Sequence, residues 1–243
     1  MGLPQSAYLG KRIYKKLFQE YAKLGVTDKK ALREDVESVI WEYTLKPSTV
    51  PIKPFSDEKH EYLEIAIIQV NLTSRKRADR LAEIIHRAIP YPIGLILVEG
   101  SGFRMSLATK RFSQAEKGAI VADEFFATQW MDLGALKEHE ESFLKSLAIA
   151  SLPSTDFKAL YDGLVSRVVA LECGVRTGRF EIIDDKAQLK ACKTTLAECC
   201  ELEASIAEEQ AAVRRATQIN QQVDGNLRIQ RLRAELQQMV KRL

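Results

Sequence analysis

Apolar positions recur at helical spacing near the start of the chain. In YLGKRIYKKLFQEYAKL, Ile13, Leu17, Phe18, Tyr21 and Leu24 fall on one face, and Gly25 is a natural stop. The spacing predicts a helix over 7–24. TDKKALREDV predicts a second short helix with Thr27 as its N-cap. The period then changes to two: Val39, Trp41, Tyr43 and Leu45 share one face of a strand that ends at Pro47. After the proline-rich loop PSTVPIKPFSDEKH comes EYLEIAIIQVNLT, apolar on both faces in its middle, the pattern of a central strand. SRKRADRLAEIIHRAI turns Leu81, Ile84, Ile85 and Ala88 inward as an amphipathic helix. PIGLILVEGSGFRMSLATKRF reads as strand, Glu-Gly-Ser-Gly turn and strand, and DEFFATQWM as one more short strand.

Beyond about residue 135 the sheet pattern fades. DFKALYDGLVSRVVALECGV predicts a helix capped by Thr155 or Asp156. From Lys186 the composition becomes Ala, Glu, Gln, Leu, Lys and Arg. Leu189, Cys192, Leu196, Cys199, Ile206, Val213 and Ala216 follow a three-four spacing interrupted by Glu203 and Glu209. Ile229, Leu232, Leu236, Met239 and Leu243 keep it throughout, and the register slips across Gly225 in VDGNL. Two helices with a break there are expected, as an antiparallel hairpin or a jointed coiled coil. Helices packed back on the sheet are the competing reading; the polar residues at the other positions favour a coiled coil. The expected organisation is an α/β (α+β) domain over 1–165 with a small mixed sheet and flanking helices, a helical connector over 166–185, and a coiled-coil or helical-hairpin arm over 186–243.

Charge alters this picture only locally. The 36 Lys/Arg and 33 Asp/Glu leave a net charge of +3, which by itself implies no polyanion partner. Residues 1–34, however, hold Lys11, Arg12, Lys15, Lys16, Lys23, Lys29, Lys30 and Arg33 against Glu20, Asp28 and Glu34. The longest apolar runs fall short of the roughly 20 residues that cross a bilayer, and the start of the chain lacks a signal-peptide core, so a cytoplasmic protein is expected. Cys173, Cys192, Cys199 and Cys200 are then reduced thiols. They form no C-x-x-C pair, and His60, His86 and His139 lie far from them in sequence, so neither metal nor cofactor is expected.

The segment LEIAIIQVNLTSRKR raises the sharpest chemical question. A strand running into a basic helix is where many nucleases place a carboxylate-x-lysine pair, and the element order matches a restriction-endonuclease-like core in degenerate form. At the matching positions stand Gln69 and Asn71, or Asn71 and Thr73, whose neutral groups bind Mg²⁺ weakly. Glu42 and Glu64, with Gln69, are the candidate catalytic residues of a metal-dependent DNA nuclease, which would need Mg²⁺; otherwise these acids face solvent or pair with cations. No phosphate-binding loop, dinucleotide fingerprint or nucleophile elbow is present, and EGSGF is a hairpin turn. His86 reads as a helix-surface residue near a C-terminal end, where the dipole favours it.

Arg75, Lys76, Arg77 and Arg80 stand at the start of a helix, where the macrodipole disfavours cations. Either a bound anion or an acid must offset them; Asp79 and Glu83 are the acids at hand. Lys11, Arg12, Lys15 and Lys16 form a ladder on one side of the first helix and could extend the patch; Arg176 and Arg179 in RTGRF are a further pair of this kind. No stacking aromatics interleave these cations, so contacts would go mainly to phosphates and depend strongly on salt.

Four stretches together carry a resemblance: DVESVIWEYTLKPSTVPI, the strand-to-helix segment above, AIPYPIGLILV, and ATQW. In this order, over roughly 1–165, they resemble the bacterial family of domain of unknown function 4391. The resemblance implies proteins encoded beside helicases and DNA methyltransferases in restriction-like, anti-phage gene clusters, and carries over no catalytic residue. The family's opening strand ends in Glu-x-x-x-Lys where this chain has Gln69 and Thr73. The expectation is therefore a non-catalytic accessory subunit of an anti-phage defence or restriction-modification-type system. It would bind DNA through Arg75, Lys76, Arg77, Arg80 and the N-terminal ladder, or a helicase or methyltransferase partner, and self-associate through Ile229, Leu232, Leu236, Met239 and Leu243. The alternatives are the Mg-dependent nuclease and a protein-only adaptor.

Overall fold

The strands are β1 (Tyr8–Ile13), β2 (Val36–Leu45), β3 (Phe55–Ser56), β4 (Glu61–Tyr62), β5 (Ile65–Leu72), β6 (Ile93–Glu99), β7 (Gly102–Phe112), β8 (Ile120–Ala127) and β9 (Met131–Asp132). The structure, a computed structural model, describes residues 1–21, 24–116 and 118–243; Lys23 of the N-terminal basic run lies outside the described residues. Seven strands form one mixed sheet in the order β1-β2-β5-β6-β7-β8, with β9 on β7, while β3 and β4 pair separately. The β5–β6 pair is parallel and the rest are antiparallel. The chain is α+β, with a long helical C-terminal region. It divides into two compact units, Met1–Val168 and Val169–Leu243.

The centre of the sheet explains the apolar run in β5. On one face Ala66, Ile68, Val70 and Leu72 join Leu95 and Leu97 of β6 and Val39 of β2. Over this face lie α1 (Lys15–Tyr21), α2 (Val26–Glu34) and α3 (Ala78–Ala88), contributing buried Phe18, Leu32, Leu81 and Ile85. On the other face Ile65 and Ile67 are also buried. Gly94 is bare there because a Cβ would come within 2.9 Å of Ile67 Cδ1. After α4 (Glu138–Ser146), α5 (Phe157–Thr177) begins with Asp156 as its cap, accepting from the Ala159 N–H at 2.8 Å. Its Tyr161 hydroxyl sits between the carbonyls of Ile93 and Ala108, 2.9 Å from each, which ties the helix to the sheet.

Two N-terminal expectations are corrected. Residues 8–13 are an edge strand, and the helix starts only at Lys15. Gly10 has φ +59°, a left-handed conformation that interrupts a helix, and β1 occupies the outer edge of β2, with Lys11 opposite Trp41 and Arg12 opposite Ile40. The proposed ladder on one helix side therefore does not exist: neighbouring Lys11 and Arg12 point to opposite faces of a strand. Thr27 is not a cap; Gly25 occupies that position and supplies no side-chain bond.

In Val169–Leu243, α6 (Lys186–Arg215) and α7 (Ile219–Val240) pair as an antiparallel hairpin joined by residues 216–218. Gly225 faces Val213, and Arg228 Nε reaches Glu209 Oε2 at 3.1 Å. The break is thus seven residues before its expected place at VDGNL. Gly225 is buried inside α7, where a Cβ would stand 2.3 Å from Val213 Cγ2. The glycine permits a close helix crossing rather than ending a helix. It also lies four residues before Ile229, in step with the seam that follows. No helix among the described residues is long and apolar enough to cross a membrane.

Candidate nucleic-acid interface

Thr73 and Ser74 follow β5, and the Ser74 hydroxyl accepts from the Lys76 N–H at 3.3 Å as Arg75–Arg77 form a single 3-10 turn before α3. The cations gathered at this helix start are answered by carboxylates from elsewhere in the fold. Arg77 makes a two-pronged contact with Asp35, Nε to Oδ2 at 2.5 Å and Nη2 to Oδ1 at 2.8 Å, and also reaches Glu34. Arg80 does the same with Asp28 at 2.9 and 2.6 Å, and binds Glu83 at 2.7 Å. Arg75 Nε donates to Glu99 Oε2 at 2.8 Å, and its guanidinium lies 4.3 Å above the Trp130 ring. The hydrogen-bonded guanidiniums hold the carboxyls of Asp35 and Asp28 below the usual carboxylate range. The same bonds raise Arg77 and Arg80.

The acids expected to neutralise this cluster do so in part. Glu83 takes Arg80 and Arg87, but Asp79 pairs with Arg104 at 2.8 Å. The main counter-charges, Asp28 and Asp35, come from α2 and its C-terminal end, more than forty residues away in sequence. Of the four cations, Lys76 forms no ion pair or hydrogen bond through its ammonium among the described residues and is exposed. In the N-terminal group, Lys15 Nζ donates to the carbonyls of Val36 at 2.7 Å and Arg33 at 3.3 Å, closing the end of α2. Lys11, Arg12 and Lys16 are exposed. Arg176 is held by Glu172 and Glu203.

Gln69 and Asn71 stand on the β5 face away from α3. Gln69 Nε2 donates to Asn71 Oδ1 at 2.9 Å, and Asn71 Nδ2 donates to Ser38 Oγ on β2 at 2.8 Å. Two strands are thus bridged by neutral groups that satisfy each other. Glu42 sits at the bulge between the Trp41–Ile68 and Tyr43–Ile67 pairs, while Glu64 lies just before Ile65, beyond the Leu45 rung. About three rungs, or roughly 10 Å at strand rise, separate the two acids. The structure does not bring Glu42, Glu64 and Gln69 together. Among the described residues no three His, Cys, Asp or Glu side chains are placed to hold a metal.

His86 is corrected from surface to core. It has 0% exposure, and its Nε2 lies 3.0 Å from Ser106 Oγ on β7. Burial, and the positive charge of Lys110, push its pKa down to about 3, so it is neutral. The cation serving the C-terminal end of α3 is Lys110, which reaches the His86 carbonyl and the Ile89 carbonyl, the latter at 2.7 Å. Lys110 escaped notice because it reads as the polar end of a strand. Its period-two relation to Ser106 and Ala108, on the face that meets α3, was the available signal.

In α7, Ile229 is buried and Leu232, Leu236 and Met239 are partly buried, on the side that carries Gly225 towards α6, while Leu243 lies beyond the end of the helix at Val240 and is partly buried. This seam is used within the hairpin. The outward side of the first turns of α7 shows Ile219, Val223 and Leu227, all exposed.

No curated protein and no solved structure matches the chain. A family model does, and it reaches well past the stretches over 1–165 that carry the resemblance, taking in α6 and most of α7. The chain belongs to the family described as Domain of unknown function (DUF4391), matched over residues 1–236.

Proposed function

We propose that this chain is a non-catalytic accessory subunit of a bacterial anti-phage defence or restriction-modification-type system, binding DNA and docking a helicase or methyltransferase partner. The observation that carries the reading is the Gln69–Asn71–Ser38 chain. At the place where a nuclease of this element order needs two charged oxygens for a metal, amides have closed on each other and on a hydroxyl, and a strand-bridging role replaces a metal-binding one. The exposed cations support contact with a polyanion, but their distribution shifts it. Arg75, Arg77 and Arg80 are engaged by Glu99, Asp35 and Asp28, so DNA would meet Lys11 and Arg12 first, with Lys76 beside Asp35. The helical arm would carry association through the outward Ile219, Val223 and Leu227.

Anisotropy titration of labelled DNA at low salt tests the core of this reading. Affinity should fall steeply with salt, as counterion release requires, and should be lost in Lys11→Glu with Arg12→Glu. Absence of binding at low salt, or Mg²⁺-dependent cleavage abolished by Glu64→Ala, would sink it.

A further inference from the structure

We infer that the open edge made by β1 and the start of α1 is a docking strip for single-stranded nucleic acid, with Tyr8 and Tyr14 as base-stacking platforms and Lys11 and Arg12 contacting phosphates. The inference rests on the DNA-binding reading above and adds the form of the nucleic acid and the site that distinguishes it.

The burial of this strip is inverted relative to the central strands β5 and β6. Among the described residues β1 pairs with β2 alone, and five of its six residues are exposed. Tyr14 is 76% exposed and Tyr8 48%, the most exposed aromatic rings among the described residues. Tyr62 and Tyr161, by contrast, are fully buried. Between residues 8 and 17 there are four cations and no carboxylate. Lys15 is occupied by carbonyls at the end of α2. Lys11 and Arg12 form no ion pair or hydrogen bond through their side chains among the described residues, in contrast to the saturated arginines near α3. Charge complementarity therefore favours a polyanion.

The aromatic rings select its form. In a duplex the bases are stacked on each other and their faces are hidden, so a ring on the protein has only the sugar-phosphate wall to meet. In a single strand every base offers a free face, and stacking on an aromatic side chain tolerates any sequence. Tyr8 and Tyr14 are six residues apart, at most about 20 Å of extended chain, within the reach of the short stretches that small single-strand binders cover. Because Lys11 and Arg12 project to opposite faces of the edge, phosphates on either side of the stacked bases have a cation. This corrects the expectation that no stacking aromatics interleave the cations: Tyr14 stands between Arg12 and Lys15, and the helical reading of 7–24 hid the arrangement.

The test uses the full chain, a labelled single-stranded oligonucleotide of mixed sequence, and the same sequence as a duplex. The single strand should bind about tenfold or more tighter. Tyr14→Ala should weaken it by roughly five- to a hundredfold while leaving duplex affinity unchanged, and Tyr14→Phe should keep the wild-type value. Tyr14 is exposed enough that its loss leaves the fold intact, and circular dichroism checks this. Equal affinity for both forms, with Tyr14→Ala silent and Lys11→Glu with Arg12→Glu weakening both, overturns this inference and leaves the DNA-binding reading standing. Failure to bind either form at low salt overturns both, and so does binding only to phosphatidylserine vesicles, the other surface that takes cations and aromatic rings together.

Discussion

Replacing Lys110 by Met should remove a pH-dependent component of stability that the wild type carries through an otherwise ordinary pH range. Lys110 is 1% exposed, with its ammonium against the last carbonyls of α3. Burial pushes its pKa down to about 7, from 10.5 in an unfolded chain. The folded state thus releases a proton that the unfolded state keeps between pH 7 and 10.5. Where the unfolded state binds more protons, stability rises with pH. The full difference of about 3.5 units is worth about 5 kcal/mol, at 1.36 kcal/mol per unit. Between pH 6.5 and 9 the part that changes is about 2.5 kcal/mol. Met matches the length of the chain and does not titrate. Its loss of the two carbonyl partners costs about 1–3 kcal/mol, but the same amount at each pH. Urea unfolding, followed by the fluorescence of Trp41 and Trp130, both within Met1–Val168, gives the two profiles. The wild type should gain stability on the variant as pH rises from 6.5 to 9. Parallel profiles would refute the reasoning, because they would mean that the carbonyls hold the ammonium charged throughout.

Three further outcomes follow from the packing and the ion pairs. Gly225→Ala gains about 1 kcal/mol of helix propensity but places a Cβ 2.3 Å from Val213 Cγ2, and overpacking of a stiff β-branched neighbour costs about 1–3 kcal/mol. Thermal melts should show Gly225→Ala below wild type, and Gly225→Ala with Val213→Ala above Val213→Ala alone. Gly102→Ala would put its Cβ 1.9 Å from Arg75 Nη2, pushing the guanidinium off Trp130; its emission spectrum should approach that of Arg75→Ala, and a wild-type spectrum would contradict the stacking. Asp28→Asn with Asp35→Asn should release Arg80 and Arg77, tightening DNA binding and steepening its salt dependence. Both carboxyls titrate below their unfolded values, so the stability they give is present above about pH 4 and lost as pH falls through the folded values; the double variant should lack that acid-side loss.

What could be read from the chain depended on whether a pattern was set by one element or by two. The central strand, the amphipathic face of α3 and the hairpin at Gly100 each carry their own periodicity, and all three fold accordingly. The run from Tyr8 to Leu24 does not. Its helical spacing at Ile13, Leu17 and Phe18 joins the last residue of a strand to the first turns of a helix, and only the empty edge of β2 decides that Tyr8–Ile13 extend. Gly225 misled for a similar reason: a glycine reads locally as a break, whereas its use is set by Val213 on another helix. Charge was legible in amount but not in pairing. The cost of cations at the start of α3 could be foreseen from residues 75–80, but not that Asp28 and Asp35 meet it, because their contact depends on α2 packing beside α3.

That pairing determines where function can reside. A cluster of arginines at a helix start looks like an anion site as long as the helix dipole is the only field considered. Once Asp35 and Asp28 are bound to Arg77 and Arg80, the field there is satisfied from within the protein, and a phosphate would have to displace a two-pronged carboxylate to enter. Among the described residues Lys11 and Arg12 face no such competitor. They stand on a strand whose outer edge is open, beside tyrosines that no core has absorbed. On the function proposed above, the strand after which a nuclease would set its lysine serves as scaffold, with amides bridging β5 to β2, and the charge proposed for a partner lies at the other end of β2's pairing, on β1.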